Sequence, residues 1–110
     1  MEVKIRLTRT GGLAGMRLSA HLSTEAMVPE EANHLRRLIS DGDLFRWPER
    51  LKSSRPQPDR FQFCLVLEEG ARSKRLLMDE TAVPPEVRPL LDYLLAAAMK
   101  TGSSHRRRGR

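Results

Sequence analysis

The chain has 110 residues, 39% of them hydrophobic and 31% charged, and this length suits one compact domain but excludes a large multi-domain enzyme. A net charge of +6 suggests a nucleic-acid partner, yet residues 100–110 hold five basic and no acidic side chains, which leaves residues 1–99 nearly neutral. The single cysteine, Cys64, excludes an internal disulfide. No run of residues approaches the roughly 18 apolar residues of a membrane span, so we expect a soluble, cytoplasmic protein.

The first elements in the chain predict a β-hairpin. Apolar residues alternate with polar ones in residues 3–8 and again in residues 16–22, which is the pattern of strands with one buried face. The glycine-rich residues 10–15 between them match no phosphate-binding motif and precede a strand rather than a helix, so phosphate binding is disfavoured. Two interpretations remain open: a tight turn that needs positive φ angles, or an exposed loop that carries Leu13 into a groove of a partner.

A helix and a long irregular segment follow the hairpin. Apolar residues at helical spacing predict a helix from Pro29 to Gly42, with the proline suited to the first turn. Residues 43–60 show no regular period and are long enough for a functional loop. Within this segment we interpret Trp47 as a plug for the core rather than as an interface anchor, because a small domain with few aromatics tends to bury them.

The second half of the chain repeats the strand, strand, helix order. Alternation predicts strands over residues 61–67 and 72–79, and a leucine-rich stripe over residues 87–98 predicts a second helix. The whole pattern predicts an α+β fold in which two hairpins form an antiparallel four-stranded sheet with both main helices packed on one face. Residues 1–99 are expected to form a single domain, and residues 100–110 a disordered arginine-rich tail.

No catalytic apparatus, metal site or cofactor site is evident. The histidines lack partners at zinc-ligand spacing, and Cys64 lies inside a predicted strand, where a structural thiol is expected. The tail could contact a polyanion weakly, but no aromatic residue is interleaved with its arginines, so specific recognition of nucleic acid is disfavoured. The arginines of this alternative polyanion site are Arg106, Arg107, Arg108 and Arg110.

Four segments of the chain resemble a known family by their order and spacing. They are Arg9 to Gly15, Asp43-Leu44-Phe45 before Trp47-Pro48, Asp59 to Phe63, and Val83-Pro84 to Leu94. In this order they resemble emfourin, a family of bacterial inhibitors of protealysin and related thermolysin-like metallopeptidases. The chain departs from the family pattern at Leu13, which is often aromatic there, at Trp47, where a leucine commonly precedes the proline, and in its arginine tail.

The resemblance implies an inhibitor, not an enzyme, that binds a zinc peptidase without holding zinc itself, and we expect it to be monomeric. Such peptidases favour a bulky apolar residue after the scissile bond, so Leu13, with Met16, is expected in that pocket while the glycines let the backbone approach. The flanking arginines are expected to meet carboxylates of the cleft; alternatively, Leu13 simply caps the sheet. The implied protease-contact residues are Arg9, Gly11, Gly12, Leu13, Ala14, Gly15, Met16 and Arg17.

Overall fold

The computed structural model describes residues 2–12, 17–53 and 60–108, with side chains described up to Lys100. Strands and helices alternate in the order that the sequence predicts, with one short strand added between the first helix and the second hairpin. The strands are β1 (Val3–Gly11), β2 (Leu18–Ser23), β3 (Arg50–Leu51), β4 (Phe61–Glu69) and β5 (Arg72–Asp79). The helices are α1 (Pro29–Gly42) and α2 (Arg88–Arg108), and short 3-10 turns occur at Thr24–Ala26, Leu44–Arg46 and Glu80–Ala82.

The strands form one five-stranded mixed sheet in the order β2-β1-β4-β5-β3. The first four are antiparallel to their neighbours, whereas β3 runs parallel to β5 at the far edge. The α+β class is confirmed, but the prediction of four antiparallel strands was wrong in this detail. A strand of two residues is too short to show the alternation by which strands are recognised, so Arg50–Leu51 was placed in an irregular segment.

One face of the sheet carries the core. The register sets Ile5 opposite Leu67 and Leu7 opposite Leu65, so alternate side chains of β1 and β4 point the same way. These side chains and those of the helices belong to one buried cluster, with α2 packed on β2 and β1 and α1 packed on α2. Both helices therefore cover the same face, and the opposite side, here called the open face, is left without a helix.

The predicted limits of α1 are confirmed, and the residue after the helix closes its last turn. Pro29 stands at the first helical position, where its missing N–H costs nothing. Asp43, rather than Gly42, takes the left-handed conformation, and its N–H is shared between the carbonyls of Ile39 and Ser40 at 3.2 Å each. Gly42 is buried inside the last turn instead.

Trp47 packs against the core, as the sequence predicts. Its ring is partly buried against the core cluster, and its Nε1–H donates to the carbonyl of Gly42 at 3.0 Å. Lys74 donates from β5 to the carbonyl of Trp47, which fixes the chain after α1 to the sheet. The tryptophan is thus an anchor of the fold.

The helix α2 extends beyond the domain limit that the sequence suggests. Its last buried residue is Ala98, but its backbone continues to Arg108. The side chains from residue 101 onward, including the arginines of the proposed polyanion site, lie outside the described residues, so the disordered tail stays a prediction. In the described part of the chain, no helix is long and apolar enough to cross a membrane.

Candidate functional site

The end of β1 and the start of β4 lie side by side at one end of the sheet. The register pairs Gly11 with Phe61, and on the next strand it pairs Gln62 with Asp79. The segment that follows Gly12 and the segment that precedes Arg60 therefore leave the sheet together, beside the last residue of β5. We call this the loop end, made of Gly11, Gly12, Arg60, Phe61, Asp79 and Glu80.

Two glycines at the loop end have backbone angles and surroundings that exclude a side chain. Gly11 has a φ of 90° and Gly12 a φ of 81°, the positive values that the sequence predicts for this turn. A Cβ on Gly11 would lie 2.7 Å from the carbonyl oxygen of Arg60, and one on Gly12 would lie 2.5 Å from Cε1 of Phe61. Both glycines are needed for conformation and for space. Residues 13–16, which contain Leu13 and Met16, lie outside the described residues.

The guanidinium group of Arg9 stacks on the ring of Phe61, which also contacts Gly12. Its Cζ lies 4.1 Å from the centroid of the Phe61 ring, at stacking distance for a cation and a π system. Its Nε is buried and has no hydrogen-bond partner among the described residues. Arg17, the second arginine expected to flank the loop, is exposed just before β2. The structure thus separates the two: Arg9 is stacked on the ring of Phe61, whereas Arg17 is exposed to solvent.

Two consecutive carboxylates hold the segment that precedes β4. Glu80 accepts a hydrogen bond from the Phe61 N–H at 2.9 Å, and its other oxygen lies 3.8 Å from Nη1 of Arg60. Asp79 accepts a hydrogen bond from the Ser53 N–H at 2.8 Å. The carboxylates at the end of β5 therefore fix the chain on both sides of residues 54–59, which the structure does not describe. Sequence analysis missed both, because a carboxylate after a strand gives no signal of a partner so far away in the chain.

The side chains that usually bind metal ions do not cluster in residues 2–12, 17–53 and 60–100. These residues contain no group of three or more histidine, cysteine or acidic side chains that could hold a metal ion. Cys64 is a free, half-buried thiol on β4. Tyr93 on α2 has a strongly raised pKa, the one such shift among the described residues: burial raises it, and with a 2.8 Å hydrogen bond to Glu31 of α1 the pKa reaches about 12. That pair ties α2 to α1 and is no part of the loop end.

The chain has matches among family models and among solved structures. A family model described as Emfourin matches residues 7–95. Among solved structures, the chain is similar to emfourin from Serratia proteamaculans, an inhibitor of M4 family peptidases, with 21% identity over 81% of this chain and 85% of that one, and a TM-score of 0.49. No curated protein matches the chain.

Proposed function

The chain belongs to the emfourin family, and from that premise we propose that it inhibits thermolysin-like zinc metallopeptidases by placing the segment after Gly12 in the active-site cleft. The family is one of inhibitors, so the protein acts by binding and is not an enzyme. Its partner is a metallopeptidase, and the zinc ion belongs to that partner.

The observation that carries this proposal is the rigid support beneath the glycine loop. Gly11 and Gly12 are packed against β4, the ring of Phe61 is stacked under Arg9, and Glu80 holds the backbone of Phe61. A loop that leaves such a support has less conformational freedom to lose on binding, and this saving in entropy appears directly as affinity. A segment that fills a substrate cleft without being cut profits from the same stiffness.

The side chains that enter the cleft are assigned from the family. Leu13 fills the pocket that receives the residue after a scissile bond, and Met16 adds apolar area beside it. Arg17 is exposed and free to meet carboxylates at the rim of the cleft, where it accelerates association. Gly11, Gly12, Ala14 and Gly15 keep the backbone narrow enough to approach the floor of the cleft.

The test is titration of the protein into a thermolysin-like metallopeptidase, with residual peptidase activity measured after preincubation. Wild-type protein should abolish activity at a one-to-one ratio, and Leu13→Ala should weaken inhibition by roughly 10- to 100-fold, the effect of losing an apolar anchor. Val28→Ala is the matched control, because Val28 is an exposed aliphatic residue on another part of the surface. Full inhibition by Leu13→Ala would exclude Leu13 as the anchor while leaving the inhibitor intact.

The second candidate function is binding of a polyanion by residues 100–110, which hold basic side chains and no acid. Removing residues 101–110 leaves every described core residue in place, since the last one is Ala98. The inhibitor proposal predicts unchanged inhibition by the shortened chain. The alternative predicts that binding of an oligonucleotide, steeply weakened by salt in the full chain, disappears with the tail.

A further inference from the structure

The sheet brings basic residues that are far apart in the sequence onto its open face. Because side chains alternate along a strand, the open face receives Arg6 from β1, Arg75 from β5, Arg50 from β3 and Lys52 just after it. We call these four residues the basic face. Lys4 also lies on this side, opposite Glu68 in the register, and is left out of this set.

The cations of the basic face make no ion pair with any described residue. The five ion pairs found in residues 2–12, 17–53 and 60–100 involve Arg46, Arg60, Arg72 and Arg88, all of which lie on the helices, turns or strand ends. The four side chains of the basic face are exposed. Glu68 and Asp79 also place carboxylates on the open face, but the cations there outnumber them. The basic face therefore retains a positive field that the fold itself does not neutralise.

An open cavity of about 170 Å³ lies on the same side. Cross-strand pairing forms one row that runs from Thr8 through Cys64 and Leu77 to Arg50. Cys64 and Leu77 give this row an apolar floor, Thr8 and Thr10 supply hydroxyl groups along one wall, and Arg50 and Lys52 stand at the other. These walls suit a side chain with a short aliphatic stem and a carboxylate head, which is the chemistry of glutamate and aspartate.

The cavity is adjacent to the loop end. Thr10, which lines it, immediately precedes Gly11, and Asp79 belongs to both. At about 3.4 Å per strand residue, the row of Thr8 and Cys64 lies roughly 10 Å from Gly11. Any protein that holds the glycine loop in a cleft must bring the rim of that cleft close to the basic face.

We propose that the basic face is a second contact surface, which binds an acidic segment of the same metallopeptidase beside the cleft. This inference rests on the proposed function and adds to it a determinant of which peptidase is bound. A single-stranded nucleic acid fits less well, because among the described residues no Phe, Tyr or Trp lies on the open face for bases to stack on.

Variants of the full chain in which basic residues are replaced by uncharged glutamine test the proposal through the rate of association with a peptidase. Arg50→Gln/Lys52→Gln removes two charges from the basic face, and Arg36→Gln/Arg37→Gln removes two exposed charges from α1 on the covered side. Association with a thermolysin-like metallopeptidase is followed from progress curves at about 0.05 M and about 0.5 M ionic strength, where screening lengths differ severalfold. All four side chains are exposed, so both variants should melt as the wild type does.

The basic-face variant should associate about tenfold more slowly at low ionic strength, the control should match the wild type, and the difference should close at high ionic strength. Equal rates for the two variants, with inhibition intact, would overturn the second contact and leave the proposed function standing. Absence of inhibition by the wild type would instead remove the proposed function, and this inference with it. In a parallel arm, hexaglutamate and a thymidine oligonucleotide are titrated into the wild type and into the basic-face variant. Weaker hexaglutamate binding by the variant would support the proposal, whereas loss of oligonucleotide binding alone would reassign the surface to nucleic acid.

Discussion

Replacing Gly12 with alanine tests whether the packing beneath the loop is as tight as the structure shows. Alanine at position 12 would have to adopt a φ of 81°, and this left-handed conformation costs an L-residue about 1–2 kcal/mol. Its Cβ is a second source of destabilisation. It would lie 2.5 Å from the Phe61 ring, and overpacking of this kind adds about 1–3 kcal/mol. The free energy of unfolding should therefore fall by about 2–5 kcal/mol, which lowers the melting temperature by roughly 8–40 °C in a domain of this size.

Gly70→Ala separates the backbone cost from the packing cost. Gly70 lies exposed in the turn between β4 and β5 and has a φ of 62°, so its substitution carries the left-handed backbone cost without the ring of Phe61. We expect about 1–2 kcal/mol for this control. Thermal and urea unfolding of both variants should show a clearly larger loss for Gly12→Ala, and inhibition should weaken only in that variant.

A double-mutant cycle with Phe61→Leu tests whether the Phe61 ring causes the extra destabilisation of Gly12→Ala over Gly70→Ala. If the ring is the obstacle, Gly12→Ala should cost no more in the Phe61→Leu background than Gly70→Ala costs in the wild type. Equal destabilisation by Gly12→Ala and Gly70→Ala in the wild-type background would refute the contact between Gly12 and Phe61. The argument for a preorganised loop would then lose its main support.

Three further predictions concern the frame of the domain. Trp47→Ala should lower the free energy of unfolding by about 2–3 kcal/mol in urea melts while leaving inhibition of the peptidase unchanged, because the half-buried ring supports the fold rather than the loop end. Glu80→Ala leaves the Phe61 N–H without its acceptor and should cost about 1–2 kcal/mol, with weaker inhibition in the same titration assay. The pKa of Tyr93, the only tyrosine in the sequence, should be about 12 when measured by ultraviolet absorbance, because burial first and Glu31 second disfavour the phenolate. The unfolded chain loses this proton near pH 10, so the free energy of unfolding should decline between pH 10 and 12. Glu31→Gln should lower the pKa part of the way.

Most of the fold could be predicted from the sequence because its signals are local. Alternation within residues 3–8 is enough to identify β1, and the spacing of Leu35 and Ile39 is enough to identify α1. The positive φ angles of Gly11 and Gly12 follow from residue type and position in a hairpin. The strand β3 escapes such reasoning because its pairing with β5, and not its own composition, makes it a strand.

The determinants of the candidate site are mostly not local, and this is why they were missed. Alternation already places Arg9 on the same face as Leu7, but only the register of β1 with β4 brings Phe61 beneath it. The basic face could not be predicted for the same reason. Its cations lie in or next to three separate strands, and acidic residues lie between these strands in the sequence. A count of charges along the chain averages over both faces of a sheet, whereas a partner meets only one of them.

The separation between the frame and the loop has a consequence for specificity. The residues that stiffen the loop end, which include Phe61 and Glu80, lie outside residues 13–16 and do not depend on which side chains those residues carry. On the proposed mechanism, exchanging Leu13 for a larger apolar residue should shift inhibition towards peptidases with a wider pocket. Exchanging Gly12 would instead disturb the frame itself. On the proposed mechanism, target choice resides in the loop and on the basic face, whereas preorganisation of the loop depends on the glycines and on the ring of Phe61.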